Sequence, residues 1–342
     1  MSSLTDDRAP AVRDHFRGQA RACRGLGSSF TADLLDLCAD NLDPAGAVGG
    51  AVLGWAGSAS HDALALRLAG GLHALVIDGR DRALAAAYGA GAVDWPTVAR
   101  ALADHAGFLL GFLARPPQTN EVARAGVLAG GFLTVAAEAG RPLSLLEIGA
   151  AAGLNLNWAA FSYDLGGLRW GDPDSPLHLA PQWTGPPPPD ARALVAARAG
   201  CDRDPVDPLD PADRLRLRAY IWPDQPDRRR RMDAALAIMA RDPVRVDKAA
   251  AADWLAARLG RQKADTVPVL FHSIMWQYVD PVEQDRIRAL VAAVRQPLAW
   301  LRMEPSPDLA HAELHLTLGP GGADRLLARA DFHGRWVEWV GE

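Results

Sequence analysis

Between Leu143 and Leu156 the chain reads Leu-Ser-Leu-Leu-Glu-Ile-Gly-Ala-Ala-Ala-Gly-Leu-Asn-Leu, and no other stretch limits the fold so sharply. An apolar run closes on Glu147, the small residues Gly149, Ala151 and Gly153 follow at alternate positions, and a helical pattern then begins. That order predicts a buried strand turning tightly into a helix, with backbone N–H groups of the turn open to a nucleotide-like ligand. Gly149 permits the sharp turn, and Gly153 permits close approach of helix and ligand to the main chain. Ala151 carries a methyl group that would crowd such a ligand slightly. Glu147 stands where a carboxylate can accept a hydrogen bond from a ligand amine or a loop N–H, and Asn155 comes next in the same loop. Any tight strand–helix junction also selects small residues, so a purely structural reading stands beside this one.

The pattern changes on either side of this loop. Residues 1–140 read as helices only. In Pro10–Arg24, Val12, Phe16, Ala20 and Cys23 share one face. Ser28 or Ser29 caps a second helix, Ser60 a third, and Asp94, followed by Pro96, a fourth that ends at Arg115-Pro116-Pro117. Gly46–Gly57 is ambiguous. Thr119 or Asn120 caps the helix that runs to Gly140. From residue 141 on, short Leu/Val/Ile runs alternate with helical patterns, as in a parallel α/β sheet. Strands are expected at Leu143–Ile148, near Cys201, and at Val244–Asp247, Val267–His272 and Leu298–Met303, with a closing pair at Glu313–Leu318 and Phe332–Val340. Helices fit Ala191–Ala199, Pro211–Ala219, Asp227–Ala240, Ala250–Leu259 and Pro281–Val294. Residues 162–190 form an insertion: a hairpin from Tyr163 to Trp170 turning on Gly166-Gly167, a strand at Leu177–Trp183, and a stiff Pro186–Pro189 spacer. The expected domains are therefore a helical cap, residues 1–140, and an α/β domain, residues 141–342.

A net charge of −5 argues against a general nucleic-acid or anionic-membrane binder. Cys23, Cys38 and Cys201 are odd in number and widely spaced, so neither a disulfide framework nor a zinc site is expected. The N-terminus carries charges within its first eight residues and shows no apolar signal core, and uncharged apolar runs reach about 13 residues, short of the roughly 18 that span a bilayer. A reduced, cytoplasmic protein acting on a small molecule is the expectation; the oligomeric state is not readable.

Ligands of open α/β sheets lie beyond the carboxyl ends of the strands, which nominates further residues. A ribose-binding acid should end the second strand: Asp202 is preferred, with Asp204, Asp207 and Asp164 as alternatives, and Asp-Pro turn chemistry explains all of them equally. Asp247 either approaches an adenine amino group or caps the next helix. After the strand at Val267, His272, Ser273, Trp276, Gln277 and Tyr278 point toward the reaction zone, with His272 as general base or as a histidine hydrogen-bonded at a strand end. Tyr220-Ile-Trp-Pro-Asp-Gln225 offers an aromatic wall, with Trp222 and Gln225 as substrate candidates. Arg302 is either a bidentate clamp for an anionic ligand or half of an Arg–Glu pair with Glu304. Asn120 and Glu121 either cap the helix leading into the sheet or line the ligand cleft as a lid. His311, Glu313 and His315 alternate as metal ligands can, but read as a solvated strand face; no metal is expected.

Several long motifs occur in order: Gln118-Thr-Asn-Glu-Val122, Leu145–Leu156, Gly200-Cys-Asp202, Trp222-Pro-Asp-Gln225, Phe271-His-Ser-Ile-Met-Trp-Gln-Tyr278, Trp300-Leu-Arg-Met-Glu304 and His333–Trp339. The set resembles a bacterial family catalogued as domain of unknown function 2332. Within it, the G-x-A-x-G spacing with Glu147 two residues upstream resembles motif I of class I S-adenosylmethionine (SAM) methyltransferases. A dinucleotide dehydrogenase loop would need glycine where Leu154 stands. The resemblance implies a methyltransferase-like Rossmann sheet, mostly parallel with an antiparallel last strand inserted into it, and supplies no substrate. The expected activity is methyl transfer from SAM to a small molecule. Glu147, Gly149, Ala151, Gly153, Asn155, Asp202, Asp247 and Ser273 would hold the cofactor. Asn120, Glu121, Trp222, Gln225, Trp276 and Gln277 would face the acceptor, and His272, Tyr278 and Arg302 would serve catalysis. The alternative is a non-catalytic or regulatory binder of a nucleotide-like metabolite on the same fold.

Overall fold

A computed structural model describes residues 8–261, 263 and 265–341. The chain divides into two compact units: Met1–Thr119 with Asp210–Arg230, and Asn120–Leu209 with Arg231–Glu342. The first boundary thus falls at residue 119 rather than 140, and a later segment belongs with the early helices.

The helical unit contains α1 (Ala9–Gly25), α2 (Ser29–Asn41), α3 (Ala47–Leu53), α4 (Leu64–Ile77), α5 (Arg82–Gly89), α6 (Trp95–Asp104) and α7 (Ala106–Leu113). α1 buries Val12, Phe16, Ala20 and Cys23, the face its periodicity marks. Ser28 caps α2 by accepting the Thr31 N–H at 3.3 Å, and Asp94 caps α6 by accepting the Thr97 N–H at 2.9 Å. Ser60 does not cap α4; Ala63, in the left-handed region at φ 50°, precedes it. Sequence reading also missed α5, capped by Asp81, and the break at His105 that separates α6 from α7. Helix α9 (Pro211–Ala219) joins this unit, where the Tyr220 ring packs against Gly70. A Cβ on Gly70 would lie 2.7 Å from Tyr220.

The second unit is an α/β Rossmann-like fold. Its strands are β1 (Leu143–Ile148), β2 (Ser162–Leu165), β3 (Leu168–Gly171), β4 (His178–Leu179), β5 (Gln182–Thr184) and β6 (Val195–Asp202), then β7 (Val246–Lys248), β8 (Val267–Ser273), β9 (Ala299–Pro305), β10 (Ala312–Leu318), β11 (Asp324–Ala330) and β12 (Trp336–Trp339). Helices α8 (Ala125–Ala139), α11 (Ala251–Leu259) and α12 (Pro281–Ala293) pack on the sheet, and α10 (Pro226–Arg241) leads into it. The main sheet runs β5-β12-β11-β10-β9-β8-β1-β6-β7. β7, β6, β1, β8 and β9 are parallel, and β9 to β12 continue as an antiparallel meander. The last strand is antiparallel to the β1 set, as expected. It is not inserted, however: each of β10, β11 and β12 pairs with its predecessor, and the closing pair becomes three strands.

Two segments overturn local expectations. Val195–Asp202 is a strand, not the end of a helix, because it fills the sheet position between β1 and β7; tertiary pairing overrides the helix propensity of its alanines. Gly200 is required there, since a Cβ would lie 2.9 Å from the Ala150 Cβ. The segment Leu177–Trp183 divides into β4, which joins the hairpin sheet β3-β2-β4, and β5, which joins β12. The hairpin itself turns on Gly166 and Gly167 at φ 67° and 92°, the positive pair a two-residue turn demands.

Register fixes the faces. Glu147 is level with Gly200 and Phe271, and Phe271 with Leu301. This face meets α8: the Phe132 ring stands edge-on to Phe271 with centroids 5.1 Å apart, and Gly131 leaves room for Leu301. Leu146, Ile148, Leu270 and Trp300 face the other way, against α11 and α12. With its preceding turn, Val122–Ala139 is apolar and long enough to cross a membrane, but most of it is buried within the protein. Its apolarity is accounted for by the sheet it covers.

Candidate functional site

The loop after β1 has the backbone that its residues require: Gly149, Ala151 and Gly153 all have positive φ, at 67°, 51° and 71°. Ala151 therefore stands in a conformation that costs an L-residue about 1–2 kcal/mol. The loop leads not into an α-helix but into a seven-residue 3-10 helix, Leu154–Ala160, with a kink at Asn157. The expected row of open N–H groups is also largely closed. The Ala150 N–H donates to the Cys201 carbonyl, Gly153 to the Ala150 carbonyl, Ala151 to Asp202 Oδ2 at 2.9 Å, and Leu154 to Asn120 Oδ1 at 2.9 Å. Asn120 thus secures the loop rather than forming a lid. It does not cap α8 either, because Glu121 accepts the Ala123 N–H and caps a short turn before that helix.

Asp202 ends β6 beside the loop, the position foreseen for it. Its carboxylate accepts the N–H groups of Ala151 and Asp204, each at 2.9 Å. Asp247, two strands out, takes the Trp254 indole N–H and the Arg258 guanidinium at 2.8 and 2.6 Å, so it acts as an anchor for α11. Asp164 accepts the Gly167 N–H within the hairpin.

Two acceptors on this segment have no hydrogen-bond partner. Glu147 is 2% exposed and its Oε2 is unpartnered; Asn155 is 1% exposed, donating weakly to the Glu121 carbonyl at 3.4 Å while its Oδ1 is unpartnered. Burial, and secondarily the nearby Asp202 charge, push the Glu147 carboxyl well above the usual carboxylate range, against the pull of Arg124. Met275 packs on the loop: a Cβ on Gly149 would lie 2.9 Å from its side chain. Met275 comes directly after Ile274, a β-branched residue at φ 51°, which marks a strained exit from β8.

His272 does not share this face. It is level with Arg302 and one residue beyond Phe271, so its side chain emerges opposite Glu147. There its Nδ1 lies 2.6 Å from Glu304 Oε1, and Glu304 also accepts the N–H groups of Met275 and Trp276 at 3.2 Å. Nδ1–H donates to this carboxylate, and Nε2 is buried without a partner. Trp276 stacks on the imidazole with centroids 5.0 Å apart. A cavity of about 260 Å³ lies beside these groups, reached also by Arg288, Arg302 and His315. Arg302 pairs with Asp324, not Glu304, and lies over the Trp300 ring.

The remaining expectations separate. Tyr278 is 76% exposed and Gln277 is exposed, so neither is gathered with His272. Ser273, on the Glu147 face, accepts the Arg124 guanidinium through its carbonyl at 3.3 Å. Trp222 and Gln225 belong to the helical unit, where Gln225 accepts Arg228 at 3.1 Å. Glu313 pairs with His315 at 3.1 Å, and among the described residues no group of three or more His, Cys, Asp or Glu could hold a metal ion. Glu304 and Met275 are the residues whose roles sequence reading missed. Glu304 had a signal, the acid at a strand's carboxyl end; Met275 had none.

The family model described as "Uncharacterized protein conserved in bacteria (DUF2332)" matches residues 13–339, and the chain belongs to that family. No curated protein and no solved structure matches it.

Proposed function

We propose that the α/β unit binds an adenosyl-bearing cofactor over the β1 loop, and that the chain transfers the methyl group of SAM to a small molecule. The observation that carries this reading is the pair of buried, unpartnered acceptors, Glu147 Oε2 and Asn155 Oδ1, at the exit of β1. β6 and β7 lie on one side of β1, and β8 and β9 on the other, so the chain's order reverses there, where open sheets bind ligands. Orphaned acceptors are costly, and a ligand with amine and hydroxyl donors relieves both. Glu147 and Asn155 would take such donors, and Asp202 would meet ribose hydroxyls. Bound SAM would supply an electrophilic methyl group; the protein's part is to position the acceptor and exclude water.

A second reading, a metabolite binder without catalysis, draws support from Met275 against Gly149, from the occupied N–H groups of Ala151 and Leu154, and from His272 on the opposite face. Calorimetry with SAM and its demethylated product, on wild type and Asn155→Ala, tests binding. A labelled-methyl assay on cell extract then separates enzyme from binder. No heat at millimolar ligand removes both readings; binding without label transfer leaves the second.

A further inference from the structure

The helical unit contains a cavity of its own, of about 50 Å³, separate from the β1 loop and from His272. Thr31, His73, Tyr88, Tyr220 and Trp222 line it, with Gly70 at its wall. Three hydroxyls among these are buried: those of Thr31 and Tyr88 have no hydrogen-bond partner, and that of Tyr220 has only the Arg216 guanidinium, itself a donor, beside it, so its O–H has no acceptor. One orphaned hydroxyl can be an accident of packing. Three around a single space are a set of unmet donors, each of which cost its hydration when the unit folded.

Apart from Thr119 the rest of the lining is apolar, and no acidic or basic side chain other than His73 belongs to it. His73 lies within 3.2 Å of the Ala219 carbonyl, to which Nδ1–H donates, and its ring stacks on Tyr88 with centroids 5.7 Å apart. Burial holds the imidazole down to about 4, so it is neutral at pH 7. Burial likewise pushes the Tyr220 phenol up to about 12, and raises Tyr88, so both remain O–H donors. Arg216 approaches the Tyr220 hydroxyl from outside the lining and is held by the Pro116 carbonyl, so the space itself has neutral walls and disfavours ions, whose desolvation little inside it offsets.

We propose that this cavity binds an uncharged molecule of a few heavy atoms, or the end of a larger one, through a carbonyl or hydroxyl oxygen that accepts from Thr31, Tyr88 and Tyr220. One water-sized sphere needs about 10–15 Å³, so the space suits roughly three to five non-hydrogen atoms, the size of a small ketone, amide or alcohol. The inference is independent of the adenosyl reading, because every residue in it belongs to the helical unit.

The test uses the full chain labelled with 5-fluorotryptophan, the Trp222 resonance being assigned by its loss in Trp222→Phe. Acetone, acetamide and 2-propanol are titrated, with acetate and ethylammonium as charged counterparts of similar size. The neutral probes should shift the Trp222 signal saturably, and the ions should not. Tyr88→Phe, Tyr220→Phe and Thr31→Val each delete one orphaned hydroxyl without changing shape, so they should fold at least as well as wild type. Each should weaken the best probe about tenfold. Gly70→Ala, which drives the Tyr220 ring from its place, should weaken it too. The proposal fails if no neutral probe saturates the signal, if ions bind equally, or if the three hydroxyl deletions leave affinity unchanged. It also fails if a crystal structure soaked with acetamide shows only ordered water in the cavity.

Discussion

Replacing Glu147 by Gln removes an ionisable proton from the middle of the sheet's parallel part while keeping the side chain's shape. Glu147 is 2% exposed, and both its burial and the Asp202 charge raise its carboxyl well above the reference value of 4.5. Below that value the unfolded and folded chains both hold the proton, so wild type and Glu147→Gln should respond to pH alike. Above it the unfolded chain releases the proton and the folded chain keeps it. Wild-type stability then falls with rising pH, and the variant escapes that fall. Linkage sets the slope at about 1.4 kcal/mol per pH unit, continuing until the folded-state value is passed and flattening beyond it. Urea unfolding at half-unit steps from pH 4.5 to 8, following the transition of the α/β unit, reads the difference directly. The variant should gain on the wild type from pH 5 upward. Parallel profiles would refute the argument, and a wild type that gains on the variant would mean that Glu147 is ionised and paired. The same logic reaches the ligand: a cationic group bound beside Glu147 should expel its proton, so heats of SAM binding should differ between buffers of different ionisation enthalpy.

Other perturbations test other parts of the structure. Ala151→Gly relieves a left-handed alanine and should stabilise the α/β unit by about 1 kcal/mol in urea unfolding; a loss of stability would show that the methyl packs usefully. Gly131→Ala places a methyl in the space taken by the Leu301 side chain and should cost about 1–3 kcal/mol, while a neutral result would mean that α8 can lift from the sheet cheaply. Glu304→Ala strips the acceptor from His272, Met275 and Trp276 and should cost about 3 kcal/mol, with faster hydrogen exchange confined to residues 274–278. His73, held down to about 4 in the folded state, keeps its full contribution above pH 6.5 and loses it as pH falls toward 4. The helical unit should therefore weaken by up to about 1.4 kcal/mol per pH unit across that window, and His73→Leu should abolish the slope.

Features set by neighbours in sequence were legible. The 3.6-residue period exposed the α1 face, the Asp94 side chain announced α6, and the Gly166-Gly167 pair announced the hairpin, because each signal acts over a few residues. The tight turn at Gly149 was legible for the same reason, and so was Asp202 at the end of β6, whereas the left-handed backbone of Ala151 was not. Val195–Asp202 and Asp324–Ala330 were not: both carry helix-forming composition and become strands only through the partners on either side. The caps show the same limit. Asn120 has the residue type of a helix cap, yet its carboxamide serves Leu154, thirty-four residues away.

The site divides along that line. Sequence alone determined that a strand must end just past Glu147 and another near His272, with chemically able side chains at both ends. Only the folded sheet decided that the two point apart. Glu147 is level with Phe271, and successive side chains on a strand alternate between faces, so a single residue of register sends the carboxyl toward α8 and the imidazole toward α12 and Glu304. Register is fixed by long-range backbone pairing and by which residues the sheet's two coverings bury, and neither is written in the local order of amino acids.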